Sequence, residues 1–394
     1  MNNLLQRRKG AAVPLAMIAI MILLAMGVGL LSLGRTARVY AVRTSTAIAA
    51  RAAADSGLTM ALFEMNDQLQ VKPWNDSTLP VATNEALPSC ANFFSYTVTN
   101  NGSGSYTVTS TGTSGLSQKE VSCNLELRGP FDYAIFGREG AELRNSATID
   151  WYNYDADDPP LKIGTHSIEE DAIILKNSAT VNGDVVVGVG GDPDVVIDNL
   201  GTITGDSLVS AEEHDMPAIT VPEWLDLLSS SGQIKNDEVV ITSAKYSSID
   251  LKNSKTLQID GDVTLYVTGD VTLGNSAEIE VLEDSSLILY IGGDLEAKNS
   301  SKINNLAKDA KKLQIYGLDS CESMEFKNSS DFFGSIYAPN ADVTLHNSVT
   351  VYGAVAAKNI DLRNSGTMYY DASLRDVTED DEAVRFVITN WHEE

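Results

Sequence analysis

The residues best suited to chemistry in this chain of 394 amino acids are its clustered carboxylates. Asp155, Asp157 and Asp158 form one group; Glu379, Asp380, Asp381 and Glu382 form another. Two carboxyl groups held a few ångströms apart can share acid and base roles across a glycosidic bond, so sugar cleavage is the reaction class to weigh. Both runs fall in segments that read as loop or terminus, where a solvated acidic run is the commoner explanation. The histidines, His166, His214, His346 and His392, show no HxxxH spacing and no triad-like neighbours. GVGGD at 188–192 is Gly-rich but precedes no clear helix whose amino end would cradle a phosphate. Cys90, Cys123 and Cys321 contain no CxxC pattern, which argues against zinc. In an oxidising compartment Cys90 and Cys123, which flank one strand-rich segment, would form a disulfide; three free thiols is the equal alternative. No cofactor is expected, although acidic loops supply the oxygen donors that calcium takes, without a ligand set to name. The residues point to a protein that is not an enzyme.

Charge narrows the classes further. Seven basic residues, from Arg7 to Arg51, precede the first carboxylate, Asp55, so the rest of the chain sets 21 basic against 54 acidic residues. Such a body repels phosphate backbones, and nucleic acid is excluded as a partner. Hydrophobic residues make up 43% of the chain, enough for a sizeable core.

The most regular feature is a recurring Asn. LRNSATI, LKNSATV, IDNLGTI, LKNSKTL, LGNSAEI, AKNSSKI, FKNSSDF, LHNSVTV and LRNSGTM place it at Asn145, Asn177, Asn199, Asn253, Asn275, Asn299, Asn328, Asn347 and Asn364. An apolar residue stands two positions before each Asn and another four positions after it. The intervals are 32, 22, 54, 22, 24, 29, 19 and 17 residues. The short ones suit one rung of a parallel β-helix and the long ones rungs with inserted loops. Strand alternation puts each Asn on the side of the apolar residue before it, so the expectation is an inward-facing Asn ladder. The residue just before Asn is basic at Arg144, Lys176, Lys252, Lys298, Lys327 and Arg363. Acids nearby, such as Glu142, Asp250 and Asp361, are expected to balance this outward column. The 54-residue interval holds PAITVPEWLDLLSSSGQI, read as an excursion with a short helix opened by Pro222 and Glu223.

Two elements precede the repeat. FFSYTVT and SYTVTSTGT, separated by NNGSG, read as a hairpin. Upstream, AAVPLAMIAIMILLAMGVGLLSLG (11–34) is 24 residues without a charge. As a helix it is about 36 Å long, enough to cross a hydrocarbon layer of about 30 Å. Arg7, Arg8 and Lys9 favour a cytoplasmic amino terminus, while Arg35, Arg38 and Arg43 favour the opposite. The helix is expected to continue toward Leu69, with Leu58, Ala61, Leu62 and Met65 forming a stripe that docks on the next domain.

RRKG, the apolar span and AADSGLTMAL together resemble the amino-terminal region of PilX-type minor pilins and related pilus-assembly proteins. The resemblance implies cleavage between Gly10 and Ala11 by a prepilin peptidase. Most pilins carry Glu at the fifth mature position; this chain carries Leu15. FDYAIFG, TLYVTGDVTLGNSAEI and GSIYAPNADVTLHNSVTVYGAVAAKNIDLRNSGTMYYD resemble a domain of unknown function often attached to such leaders, itself similar to bactofilin-like solenoids.

The combined expectation is a mainly β protein. Residues 1–10 form a leader, 11–70 a long transmembrane, pilin-like α-helix and 71–130 a small β region. Residues 131–375 form a right-handed parallel β-helix and 376–394 an acidic tail. The expected role is structural or adhesive, outside the cytoplasm, in a type IV pilus or related secretion system. The chain would sit in the inner membrane through residues 11–34 or in the pilus, with other pilins, assembly proteins or a surface glycan as partners. Two alternatives are a polysaccharide-active β-helix enzyme and a self-polymerising scaffold. Mass spectrometry of the mature chain is expected to find a terminal peptide beginning at Ala11; an intact Met1 start in cells with an active prepilin peptidase would refute the cleavage.

Overall fold

The computed structural model describes residues 12–102, 104–155, 158–211, 213–214, 216–327, 331–346 and 348–393. Gly10, Ala11, Asp157, Asn328 and Asn347 lie outside the described residues. The chain forms two compact units, Met1–Glu126 with Phe386–Glu394, and Leu127–Arg385.

The first unit is built on helix α1, Ala12–Gln68. Its two halves have opposite surroundings. From Val13 to Leu33 the large apolar side chains are more than half exposed, and the helix is long and apolar enough to cross a membrane. Ala50, Ala53, Ala54, Leu58, Ala61, Met65 and Leu69 recur at three- and four-residue spacing as one buried stripe. Leu62, read as part of that stripe, is half-buried at its margin. The stripe packs on the expected hairpin, β2 (Asn92–Gly102) and β3 (Ser105–Ser114), paired antiparallel with Val98 opposite Val108. Gly112 makes this approach close: a Cβ there would overlap the backbone of Ala50 and Ala54.

The sheet continues with β1 (Val81–Ala86) on one side and β4 (Ser117–Arg128) on the other. Its fifth strand corrects the tail reading. Arg385–Glu393, the last strand of the chain, pairs beside β4. Its Phe386 ring lies 5.1 Å from Tyr106 and 5.7 Å from Trp74. Asn66 clamps it, accepting from the Phe386 amide at 2.7 Å and donating to the Phe386 carbonyl at 3.2 Å. The acidic composition of 376–394 concealed this strand, whose single inward aromatic carries the burial.

The Cys90–Cys123 disulfide is also corrected: Cys90 is an exposed free thiol and Cys123 a buried one. Cys123 sits opposite Val108, whereas Cys90 precedes Asn92, which pairs with Ser114. Six residues along one strand is roughly 20 Å, far beyond the span a disulfide bridges. Burial pushes the Cys123 thiol up to about 11, so it packs as a small apolar side chain.

The second unit is a parallel β-helix with three faces. On one, the strands carrying Ile249, Val271, Leu295, Met324, Val343 and Ile360 pair in succession. On the next, Leu257 pairs with Ile279 and Ile279 with Ile303. On the third, Leu265, Leu289 and Ile315 stack, and every one of these side chains is buried. Alternating burial along each strand fills the interior with Leu, Ile and Val.

The order of rungs is not the order of the sequence. The rung at Thr350–Asp371 pairs with the solenoid's first rung: Val355 with Ile135, Ile360 with Ala141 and Met368 with Ile149. The chain therefore enters at the middle of the stack, climbs through Ile163 and Val185 to the strand Ser207–Val209, and stops at that end. Residues 210–232 carry it back to the opposite end, where Gln233–Ile234 begins the climb to Asp371. This return segment fills the 54-residue interval. It is fastened by buried Ile219 and Leu225, and the Tyr337 hydroxyl donates to the Pro217 carbonyl at 2.7 Å.

The asparagines are corrected too. Asn145, Asn177, Asn199, Asn253, Asn275, Asn299 and Asn364 are all exposed. Inward alternation ends at the preceding apolar residue, such as Leu251; Lys252, Asn253 and Ser254 then turn the corner outside, and Leu257 is the next large side chain inside. Alternation holds only while the backbone stays extended, and here the Ser after Asn is left-handed: φ is 60° at Ser254, 58° at Ser276 and 61° at Ser365. Some corners are joined outside the solenoid. Asn253 accepts from the Asn275 amide at 2.9 Å, and the Asn145 side chain donates to Asn364 at 3.1 Å.

Two predictions follow from these constraints. Gly112→Val is expected to lower stability by about 2–4 kcal/mol through overpacking at the helix–sheet contact, read as a shift in the denaturant midpoint. Ser276→Val, with a β-branched residue in the left-handed region, should cost about 1–2 kcal/mol. Ser276→Gly should be neutral or better, and Asn299→Leu should change stability by less than about 0.5 kcal/mol. A loss of 2 kcal/mol or more at Asn299 would restore the inward ladder.

Candidate functional site

The basic residues that precede six of the nine Asn are neutralised where they stand. Arg144 bonds Glu142 at 2.7 Å and Asp361 at 2.8 Å, and Arg363 bonds Asp361 at 2.7 Å. Lys252 meets Asp250 at 2.6 Å, Lys176 meets Asp198 at 3.2 Å, and Lys298 meets Glu296 at 3.6 Å. Lys327 bridges Glu325 and Glu296, at 2.5 and 2.9 Å. The Lys327 hydrogen bond holds the Glu296 carboxyl below its ordinary range, and Glu325 and Glu296 hold Lys327 above its own. The acids come from the middle position of the same strands, so parallel stacking interleaves the two signs. Lateral charge balance is what this face provides.

That face contains a groove of about 390 Å³ lined by Glu139, Glu142, Asp171, Asp342 and Asp361. Two of its carboxylates, Glu142 and Asp361, occupy paired positions on neighbouring strands. Arg144 bonds one oxygen of each, and Arg363 bonds the other oxygen of Asp361, so both carboxylates are tied into ion pairs. Asp342 is likewise engaged, accepting from the Asn359 side chain at 2.8 Å.

Among the described residues, several of the carboxylates singled out in the sequence are engaged close to where they stand. Asp158 accepts from the Asp155 amide at 2.8 Å. Asp381 accepts from the Thr378 amide at 2.7 Å. Burial, then the charge of Glu382 and its hydrogen bond, pushes the Tyr290 hydroxyl well above its ordinary range, so Glu382 is engaged with Tyr290. After GVGGD comes a single helical turn, Pro193–Val196, and Asp192 itself caps it through the Asp194 amide at 3.1 Å. Among the described residues no three His, Cys, Asp or Glu side chains are grouped to hold a metal.

The histidines are scattered. His346 has a buried Nε2 without a hydrogen-bond partner, and burial, then Arg363, holds its pKa down. In the first unit His392 Nε2 lies 2.8 Å from the Ser122 hydroxyl, with Nδ1 3.1 Å from the Asn390 carbonyl. This pairing escaped the linear reading because it depends on the register between β4 and the last strand. It brings a hydroxyl and an imidazole into contact, with Ser122 buried and the His392 ring exposed, and neither residue lines any of the four cavities described. His214 is different: its ring packs 4.4 Å from Phe136 and 5.1 Å from Tyr133. Burial, then Arg385 and Arg128, holds its pKa down at about 3, so the imidazole stays neutral at physiological pH. It lines a second cavity, also of about 390 Å³, whose walls carry four cations.

Comparison with known proteins gives a family match over residues 210–377, to a domain of unknown function, DUF7305. The matched span runs from the return segment through the sequential rungs to Val377. Comparison with curated proteins gives no match. Among solved structures the chain is similar to the competence-associated pilin ComZ of Thermus thermophilus, at 13% identity and a TM-score of 0.26, covering 89% of this chain and 97% of that one. It is also similar to an ice-binding protein of Antarctomyces psychrotrophicus, at 14% identity and a TM-score of 0.23, over 61% of this chain and 95% of that one. A glycosylated ice-binding protein from an Arctic yeast matches at 13% identity and a TM-score of 0.27, over 61% and 90%. At TM-scores this low the likenesses carry no functional weight.

Proposed function

We propose that the chain is a non-catalytic, membrane-anchored subunit of a type IV pilus or related secretion system, displaying its β-helix on the periplasmic or extracellular side. One observation carries this reading: α1 buries its second half against its own sheet and leaves its first half, from Val13 to Leu33, bare. Bare Leu, Ile and Met in that number are stable only in lipid or against other apolar helices. A single-pass anchor and a helix packed among other pilin helices meet the same need, so both stations fit one chain. The resemblance of RRKG and the apolar span to PilX-type leaders and the acidic, repetitive body support the same reading.

The experiment is fractionation of cells and of sheared pili. The full chain is expected with the inner membrane or in the sheared filaments, and Leu24→Asp should release it, because a charge at the centre of a span costs about 2.5–3.5 kcal/mol. Recovery of the unaltered chain in the soluble cytoplasmic fraction would refute the proposal. The non-catalytic part is tested separately. The chain should leave acidic and neutral polysaccharides uncut with calcium present. Release of saccharide that disappears with Glu142→Gln or Asp158→Asn, with the fold retained, would make it an enzyme.

A further inference from the structure

The chain carries a formal net charge of −26, yet one cavity of its second unit is lined by Arg128, Lys162, Arg375 and Arg385 with a single described carboxylate, Asp132. These cations come from separate places in the sequence. Arg128 ends β4, Lys162 opens a strand, Arg375 ends the turn Ala372–Arg375, and Arg385 opens the last strand. The folded chain collects them at one opening.

Arg375 is held in place without being neutralised. It donates to the carbonyls of Pro159 and Pro160 at 2.9 and 3.2 Å and lies over the Trp151 and Tyr370 rings at 5.4 and 5.1 Å. Lys162, Arg375 and Arg385 have no ion pair among the described residues, in contrast to the cations of the Asn corners. Asp132 feels all four charges, and burial raises its pKa against their pull; as one carboxylate it balances at most one of the four cations. Glu212 and Asp215, on either side of His214, lie outside the described residues.

The rest of the wall is mixed. Val186, Leu208 and Val209 give it an apolar side, and His214 gives it a neutral polar ring. Cations gathered on a half-buried wall repel one another unless an anion joins them. Guanidinium groups in particular match the paired oxygens of carboxylate and phosphate. The volume, about 390 Å³, is that of a small-ligand site.

We propose that this cavity binds a small ligand bearing a carboxylate or phosphate group on a sugar-sized body. Its oxyanion is taken by Lys162, Arg375 and Arg385, and its body lies against Val186, Leu208, Val209 and the His214 ring. The site adds a ligand to the structural reading above and does not depend on where the helix is anchored.

Titration calorimetry tests it with the full chain in a non-ionic detergent, using glucose 6-phosphate, glucuronate and, as the uncharged control, glucose. Binding of at least one charged sugar is expected, weakening as salt is raised, with glucose at least tenfold weaker. The two charged probes decide between phosphate and carboxylate. Lys162→Met with Arg385→Gln should weaken binding at least tenfold while the thermal midpoint stays within a few degrees. If the double variant melts early, each single variant is read instead, with a loss of about threefold or more expected. In the unaltered chain, the His214 ring resonances should move on adding the bound sugar. The proposal is overturned if neither charged sugar binds at millimolar concentration, if glucose binds equally well, or if the variants bind like the parent.

Discussion

A strand inside a coil must have its peptide groups paired on both sides, because an unpaired buried amide costs a large share of a small protein's stability. Stacked parallel rungs meet this demand, and only the two ends of the stack are left open. The solenoid applies the same solution where its own chain enters and leaves. By pairing Val355 with Ile135 and Ile360 with Ala141, it sets its first and last rungs against each other in the middle of the stack. Other features follow from that seam. The open edges are the internal strands Ser207–Val209 and Gln233–Ile234, residues 210–232 must travel from one end to the other, and Phe131 and Tyr370 meet, with the Tyr370 hydroxyl donating to the Phe131 carbonyl at 2.6 Å.

The corners show how the repeat is maintained. At the corners of Ser146, Ser178, Ser254, Ser276, Ser300, Ser348 and Ser365 the chain leaves the extended conformation, and small Ser takes the left-handed backbone there. The charged residues next to the corner alternate in sign between strand and turn, so that stacking at about 4.8 Å brings opposite charges together. Each surface pair is weak. Their value lies in register, because a slip of one residue would turn the Leu, Ile and Val column outward.

Local features were legible in the sequence, and long-range ones were not. The stripe from Leu58 to Met65, the hairpin around NNGSG and the solenoid repeat depend on periodicity within a few residues, which the chain displays directly. The inward Asn ladder failed because the two-residue period was carried one step beyond the strand's end. The Cys90–Cys123 bridge failed because flanking positions in sequence are opposite ends of a sheet. The split order of rungs, the Ser122–His392 contact and the cavity of Lys162, Arg375 and Arg385 are matters of register between distant segments. The one sequence signal for the split was the 54-residue interval, far longer than any rung needs.

The last strand, Arg385–Glu393, has a consequence for how the molecule is made. It pairs beside β4, Ser117–Arg128, and the entire solenoid lies between these two neighbours in the sequence. During synthesis, helix α1 and four strands are complete long before their fifth partner exists. Until then the edge of β4 presents unpaired amides, and the cluster of Trp74 and Tyr106 lacks Phe386. The solenoid, whose first and last rungs are mutual partners, must also wait for its final segment before its seam closes. Both units thus close only once the segment that follows the sequential rungs has been made, so each depends on contacts between distant parts of the sequence.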